Sequence, residues 1–187
     1  MNDQSNQFHA ALAELKEVFT RVDESAVDAA CAAIAGAKQV AVFGCGREAL
    51  QLKGFAMRLF HLGVPVAVVG DITMPALGPG DLLVASSGPG ELATVMTMMK
   101  LAKDAGAKNL VVTAEAGGSA ARFADLTLLI PAQTMASDRG SARSSVLPMG
   151  SLFEGSMFVL FEVMVLKLKT LLGVTPKAMR GRHTNME

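Results

Sequence analysis

Five short apolar runs constrain this chain more than any other feature. They are "QVAVFG", "PVAVVG", "DLLVASS", "NLVVTA" and "LTLLIP". Each is a continuous stretch of valine, leucine, isoleucine and alanine rather than an alternation of apolar and polar residues. That is how strands read when both faces are covered, as they are in parallel sheets with helices on each side. The segments between the runs supply helices. "EALQLKGFAMRLFHLG" has helical periodicity and a stop at Gly63, residues 90–105 form a second such segment, and 118–124 a short third. Two amphipathic helices are predicted ahead of the first strand, over 4–21 and 24–36, the second opened by Asp23 or Glu24 and closed by Gly36. After the last strand come a loop over 131–149, rich in Ser, Ala and Gly, a long apolar helix over 150–172 and a short one near 176–181. The expected fold is an α/β domain of the flavodoxin-like, doubly wound kind, with a five-stranded parallel sheet flanked by helices. One domain should span residues 1–187: N-terminal helices over 1–36, the α/β core over 37–149, and C-terminal helices and tail over 150–187.

Composition narrows the function. Seventeen Lys and Arg balance seventeen Asp and Glu with no basic block, so no nucleic-acid partner is expected. Cys31 and Cys45 lie far apart and form no CxxC pair, which suits a reducing cytoplasm and predicts neither a disulfide framework nor a zinc site. The N-terminal stretch lacks the basic and apolar regions of a signal peptide. The apolar segment 156–172 is interrupted by Glu162, Lys167 and Lys169, so no membrane span is expected and the protein is read as cytoplasmic. Trp and Tyr are absent, so a stacking platform for sugars or bases would have to use Phe, which argues against a carbohydrate-binding module.

Ligands of open α/β sheets bind beyond the carboxyl ends of the strands. Three strand ends are therefore candidates: "FGCGREAL", "VVGDITMP" and "ASSGPGELATVM". In the third, small residues lead into a helix whose first N–H groups are unpaired and carry partial positive charge. Gly88 and Gly90 let an anion approach closely, while Ser86, Ser87 and Thr94 offer hydroxyls. Pro89 has no N–H, fits early in the helix and removes one donor. The plain alternative is an N-cap serine with a glycine turn and no ligand. "GCGRE" lacks the third glycine of a dinucleotide fingerprint, and Glu48 in it would repel a phosphate.

Taken with the stretches "GCGREALQLKGFAMRLFHLG", "VVGDITMP", "GDLLVASSGPGEL", "LPMGSLFE" and "RHTNME", the chain resembles the sugar isomerase (SIS) domain family, and within it the 6-phospho-3-hexuloisomerase branch. The similarity is clearest over 40–187. The resemblance implies a phosphorylated sugar as substrate and interconversion of arabino-3-hexulose 6-phosphate and fructose 6-phosphate, a step of formaldehyde fixation through ribulose monophosphate. It implies no metal or organic cofactor, and a homotetramer whose sites use residues of neighbouring subunits. Ser87, Gly88, Gly90 and Glu91 match the family's phosphate loop, and Gly44, Gly46 and Arg47 its first glycine loop. Glu154 matches the glutamate proposed as base, and His61 and His183 the branch's two histidines. Four positions depart from the family's usual residues: Glu48 and Pro89 replace serines, Leu92 a threonine, and Leu147 a glutamine.

Moving a ketone from C3 to C2 takes a proton from C2 and returns one to C3 through an enediolate. A single carboxylate can do both if an apolar setting raises its pKa. Glu154, within "MGSLFEGSMFVLF", has such a setting. Its other reading is structural, as a carboxylate in a first helical turn, spaced from Gly150 or Ser151 like a capping box. His61 either polarises the carbonyl or rests on a helix C-terminal dipole; His183 either enters a neighbour's site or is a solvated tail residue. Arg139 and Arg143 read as solvated loop residues or as anion captors. The rival functions are an isomerase of another ketose phosphate and a non-catalytic sugar-phosphate-binding protein.

Overall fold

A computed structural model describes residues 6–139 and 145–186 of the chain. Arg143, one of the two loop arginines singled out above, lies outside the described residues. The elements run α1 (Gln7–Phe19), α2 (Glu24–Gly36), β1 (Val40–Phe43), α3 (Gly46–Leu62), β2 (Val66–Val68), β3 (Leu82–Ser86), α4 (Ala93–Asp104), β4 (Lys108–Thr113), α5 (Ser119–Phe123), β5 (Leu126–Leu129), a 3-10 turn (Pro148–Gly150), α6 (Ser151–Leu171) and α7 (Pro176–Gly181). The five strands form one sheet in the order β2-β1-β3-β4-β5, and every neighbouring pair is parallel. This is the flavodoxin-like arrangement, whose topological switch point lies between β1 and β3.

The pleat sorts side chains between two layers. Val40, Val42, Leu82, Val84, Leu110 and Val112 point into the core shared with α1, α2, α3 and α6. Ala41, Leu83, Ala85 and Val111 point the other way, onto Val95, Met99 and Ala102 of α4 and Ala120 of α5. All five residues of β3 are buried, as a central strand requires, whereas β2 is a half-buried edge strand, less covered than its apolar sequence predicts. By length and composition alone, Pro148–Leu171 is apolar enough to cross a membrane. Here it is the core helix: Leu152, Phe153, Met157, Leu160, Phe161, Met164, Val165 and Leu168 are all buried, and Phe161 stacks on Phe55 of α3 at 4.4 Å between ring centroids.

Helix ends follow local chemistry. Asp23 caps α2 by accepting from the Ser25 N–H at 2.8 Å, and Gly63 closes α3 in the left-handed region at φ 84°. Asn6 caps α1, which therefore starts at Gln7 and is shorter at both ends than the predicted 4–21. Helix α4 shifts at its start as well. It starts at Ala93 rather than at 90, because Gly90 has φ 80° and its N–H donates to the Ser87 carbonyl at 2.9 Å, closing a turn that contains Pro89. Pro89 thus belongs to that turn and not to the helix.

Candidate functional site

The loops after β1 and β3 flank the switch point. Gly46 opens α3 at φ 57°, a backbone geometry that disfavours side chains, and this sharp start aims Arg47 and Glu48 over the sheet's carboxyl edge. The serine–glycine loop continues β3: the Ser87 N–H donates to the Val112 carbonyl at 3.0 Å, and the Gly88 carbonyl accepts from the Ala114 N–H at 3.0 Å. These bonds fix the loop against β4 and leave the Gly88 N–H directed away from the sheet ladder.

That N–H already has an acceptor. The Glu48 carboxylate takes it through both oxygens, at 3.2 Å from Oε1 and 3.1 Å from Oε2, and also accepts from the Ser86 hydroxyl at 2.5 Å. A β-carbon at position 88 would sit 2.7 Å from Glu48 Oε1 and 3.0 Å from the Phe153 ring, so only glycine allows this approach. Burial pushes the Glu48 carboxyl above the ordinary glutamate range, opposed by the bonds from Ser86 and Gly88 and by the Arg47 charge. Beside it the Ser87 hydroxyl is fully buried and, among the described residues, has no hydrogen-bond partner.

Arg47 joins this loop to α6. Its Nη2 lies 3.1 Å from Glu154 Oε2 and also donates to the Met149 carbonyl, and its Nη1 donates to Ser151 Oγ at 2.9 Å. The Glu154 side chain is only 14% exposed against 44% for Arg47, so the carboxylate carries most of the desolvation. Burial raises its pKa, Arg47 pulls it down, and Glu48 raises it further. No capping box forms. Gly150, at φ 81°, is the N-cap of α6 and supplies no side chain, and Glu154 turns to Arg47 instead. The approach to α6 is also fixed: the Asp138 carboxylate accepts from the Met149 N–H, and Glu14 accepts from the Ser145 hydroxyl and the Val146 N–H.

The structure therefore brings together Gly44, Gly46, Arg47, Glu48, Ser86, Ser87, Gly88, Gly90 and Glu154. Glu91 and Thr94 stand apart: both are exposed, and among the described residues neither side chain makes a hydrogen bond. Leu147 is half-buried against the core, and Arg139 is exposed. The histidines are elsewhere. His61 is buried in the last turn of α3, thirteen residues beyond Glu48, or about 20 Å along the helix axis. His183 stacks against it at 5.4 Å between ring centroids, and Arg182 holds the tail there by donating to the His61 carbonyl at 3.1 Å. Within one chain, Glu154 and the two histidines do not form a single constellation. The bridge from Arg47 to Ser151 and Glu154 escaped sequence reasoning; its partners are over a hundred positions apart, and no local pattern marks it. Among the described residues no cluster of three His, Cys, Asp or Glu is placed to hold a metal ion.

The SIS domain profile matches residues 33–153. The 3-hexulose-6-phosphate isomerase of Mycobacterium gastri is 35% identical over 186 residues, covering all of this chain and 92% of its own. That of Methylomonas aminofaciens is 32% identical over 176 residues, covering 94% of this chain and 96% of its own. A crystal structure from Methanococcus jannaschii, for which a function of 3-hexulose-6-phosphate isomerase was inferred, superposes with a TM-score of 0.80 at 29% identity over the whole of both chains. Relatives of this identity and coverage, around a site at the switch point, make the chain a member of the SIS domain family.

Proposed function

We propose that the protein is a sugar-phosphate isomerase that interconverts a 3-ketohexose 6-phosphate, arabino-3-hexulose 6-phosphate, and fructose 6-phosphate. The observation that carries this reading is Glu154. Its carboxyl is largely buried, raised by that burial, and held by Arg47 at the edge of the serine–glycine loop. A carboxyl brought toward neutrality is suited to take the C2 proton and return it to C3 of the enediolate. Arg47, already a donor to Glu154, can pass donors to the enediolate oxygens as negative charge develops there. The Ser87 hydroxyl, buried beside Glu48 and without a hydrogen-bond partner among the described residues, serves the anionic end of the substrate.

The histidines take part through assembly. His61 and His183 reach the carboxylate of a neighbouring subunit, so the working unit is a homo-oligomer, a tetramer in this reading, acting in the cytoplasm. Exposed apolar side chains on the outer helices support such packing: Phe8 and Leu12 on α1, Leu50, Met57 and Phe60 on α3, and Phe158 on α6. The test is an assay of fructose 6-phosphate coupled to a hexulose-6-phosphate synthase. Turnover is expected, and binding without turnover would leave a non-catalytic sugar-phosphate-binding protein.

A further inference from the structure

The serine–glycine loop presents few donors, and one acidic side chain has taken two of them. The Ser86 hydroxyl and the Gly88 N–H both serve Glu48. Pro89 contributes no N–H, and Leu92, the N-cap of α4, offers no side-chain hydrogen bond. We propose that Glu48 determines how the site reads the anionic end of its ligand: its carboxylate is a resident anion on the loop, and a sugar phosphate seats there only together with one proton. This rests on the sugar-phosphate reading above and specifies what that ligand must bring.

The charges around the loop argue for it. From its own helix Glu48 faces Arg47, from α6 Glu154, and from the turn before α3 the Cys45 thiol; β3 and the loop after it present only the neutral Ser86 and Gly88. The Arg47 guanidinium is engaged with Glu154, Ser151 and the Met149 carbonyl. Two carboxylates and one guanidinium carry a net charge of about −1 before any ligand arrives. A phosphate dianion would bring this to about −3 in a partly desolvated cleft, at van der Waals distance from Glu48. One proton drawn from solvent removes the conflict. Held between a Glu48 oxygen and a phosphate oxygen, it turns two repelling acceptors into a donor and an acceptor, and it returns to solvent when the ligand leaves. Burial already favours the protonated carboxyl of Glu48.

The test is calorimetric titration of the intact protein with fructose 6-phosphate at pH 8, in two buffers of different ionisation enthalpy. The parent should take up about one proton per ligand, and its affinity should fall about tenfold per pH unit above the second ionisation of the phosphate, near pH 6. Glu48→Ser should bind more tightly at pH 8, with uptake near zero and a flat pH dependence. Glu48→Gln, which keeps the size and hydrogen bonding of the side chain, should also lose the uptake, while Glu154→Gln should keep it. Binding by the parent without proton uptake, or uptake that survives in Glu48→Ser, overturns the proposal and leaves the sugar-phosphate reading standing. Absence of binding by both the parent and Glu48→Ser at every pH would overturn that reading and this proposal with it.

Discussion

Replacing Arg47 with methionine removes the cation paired with Glu154 while keeping most of the side chain's apolar stem. The Nη2–Oε2 distance of 3.1 Å puts the charge centres about 4 Å apart. At an effective dielectric near 20 the attraction is about 4 kcal/mol. Arg47 is 44% exposed, so solvent screening lowers the useful part to roughly 1–2 kcal/mol. The direction is definite: Arg47 favours the ionised form of Glu154, whereas burial and Glu48 oppose it. Without Arg47 the carboxyl stays protonated to higher pH. A base must be ionised to accept a proton, so the acid limb of kcat/KM against pH should move upward, with activity lost more at pH 6 than at pH 8. Arg47→Lys keeps the charge and loses the fork to Ser151 and Met149. It should hold the acid limb near the parent's position while lowering Tm. A profile in Arg47→Met that is scaled down equally at all pH values would refute the electrostatic role and leave Arg47 as a bracket for the turn before α6.

Three further outcomes are expected. Burial raises the Glu48 carboxyl, so the folded protein holds that proton more tightly than the unfolded chain does, and this stabilisation is lost as pH rises from about 4 through the folded-state value. The Tm of Glu48→Gln relative to the parent should therefore climb over that window in thermal melts, and a falling difference would contradict the assignment of burial as the dominant cause. Gly88→Ala places a methyl 2.7 Å from Glu48 Oε1 and 3.0 Å from the Phe153 ring, which should cost about 1–3 kcal/mol in denaturant titrations and displace Glu48; unchanged stability would mean that the loop gives way easily. Because His61 lies at the opposite end of α3 from the Arg47–Glu154 pair, mixing inactive His61→Ala with inactive Glu154→Gln, then dissociating and reassembling them, should restore part of the activity through hybrid sites if sites are shared between subunits. No restoration, or a stable monomer by sedimentation, would end the shared-site reading.

Much of the fold was legible because the decisive signals are local. Continuous apolar runs such as "DLLVASS" encode burial on both faces, and β3 is buried throughout. Gly63 and Asp23 mark helix ends by their own backbone and side-chain chemistry, and both act there. The start of α4 was misplaced because a turn closed by Gly90 and a first helical turn look alike in sequence. At the site, residue identity was legible and partnership was not. Glu48 stood out as a charge where a phosphate was expected, but its seat on the Gly88 N–H depends on how α3 leaves β1. Arg47 and Glu154 were each singled out, yet their pairing is a product of α3 and α6 packing side by side. The histidines were separated from Glu154 by the length of α3, a distance that a list of matching residues does not carry.

The central claim is that the Glu154 carboxyl moves the proton that relocates the ketone. It is tested most directly by following fructose 6-phosphate labelled with carbon-13 at C2 by NMR, with the parent and with Glu154→Gln at equal ligand saturation. Glutamine keeps the shape of the side chain and cannot accept the proton, so the loss expected is about 10²–10⁴-fold or more in rate. The account predicts that with the parent the labelled carbon passes from ketone to secondary alcohol as the 3-ketose forms, and that with Glu154→Gln it does not, although the ligand still binds. Conversion by Glu154→Gln at the parent's rate, or binding by the parent with no movement of the label, would contradict it.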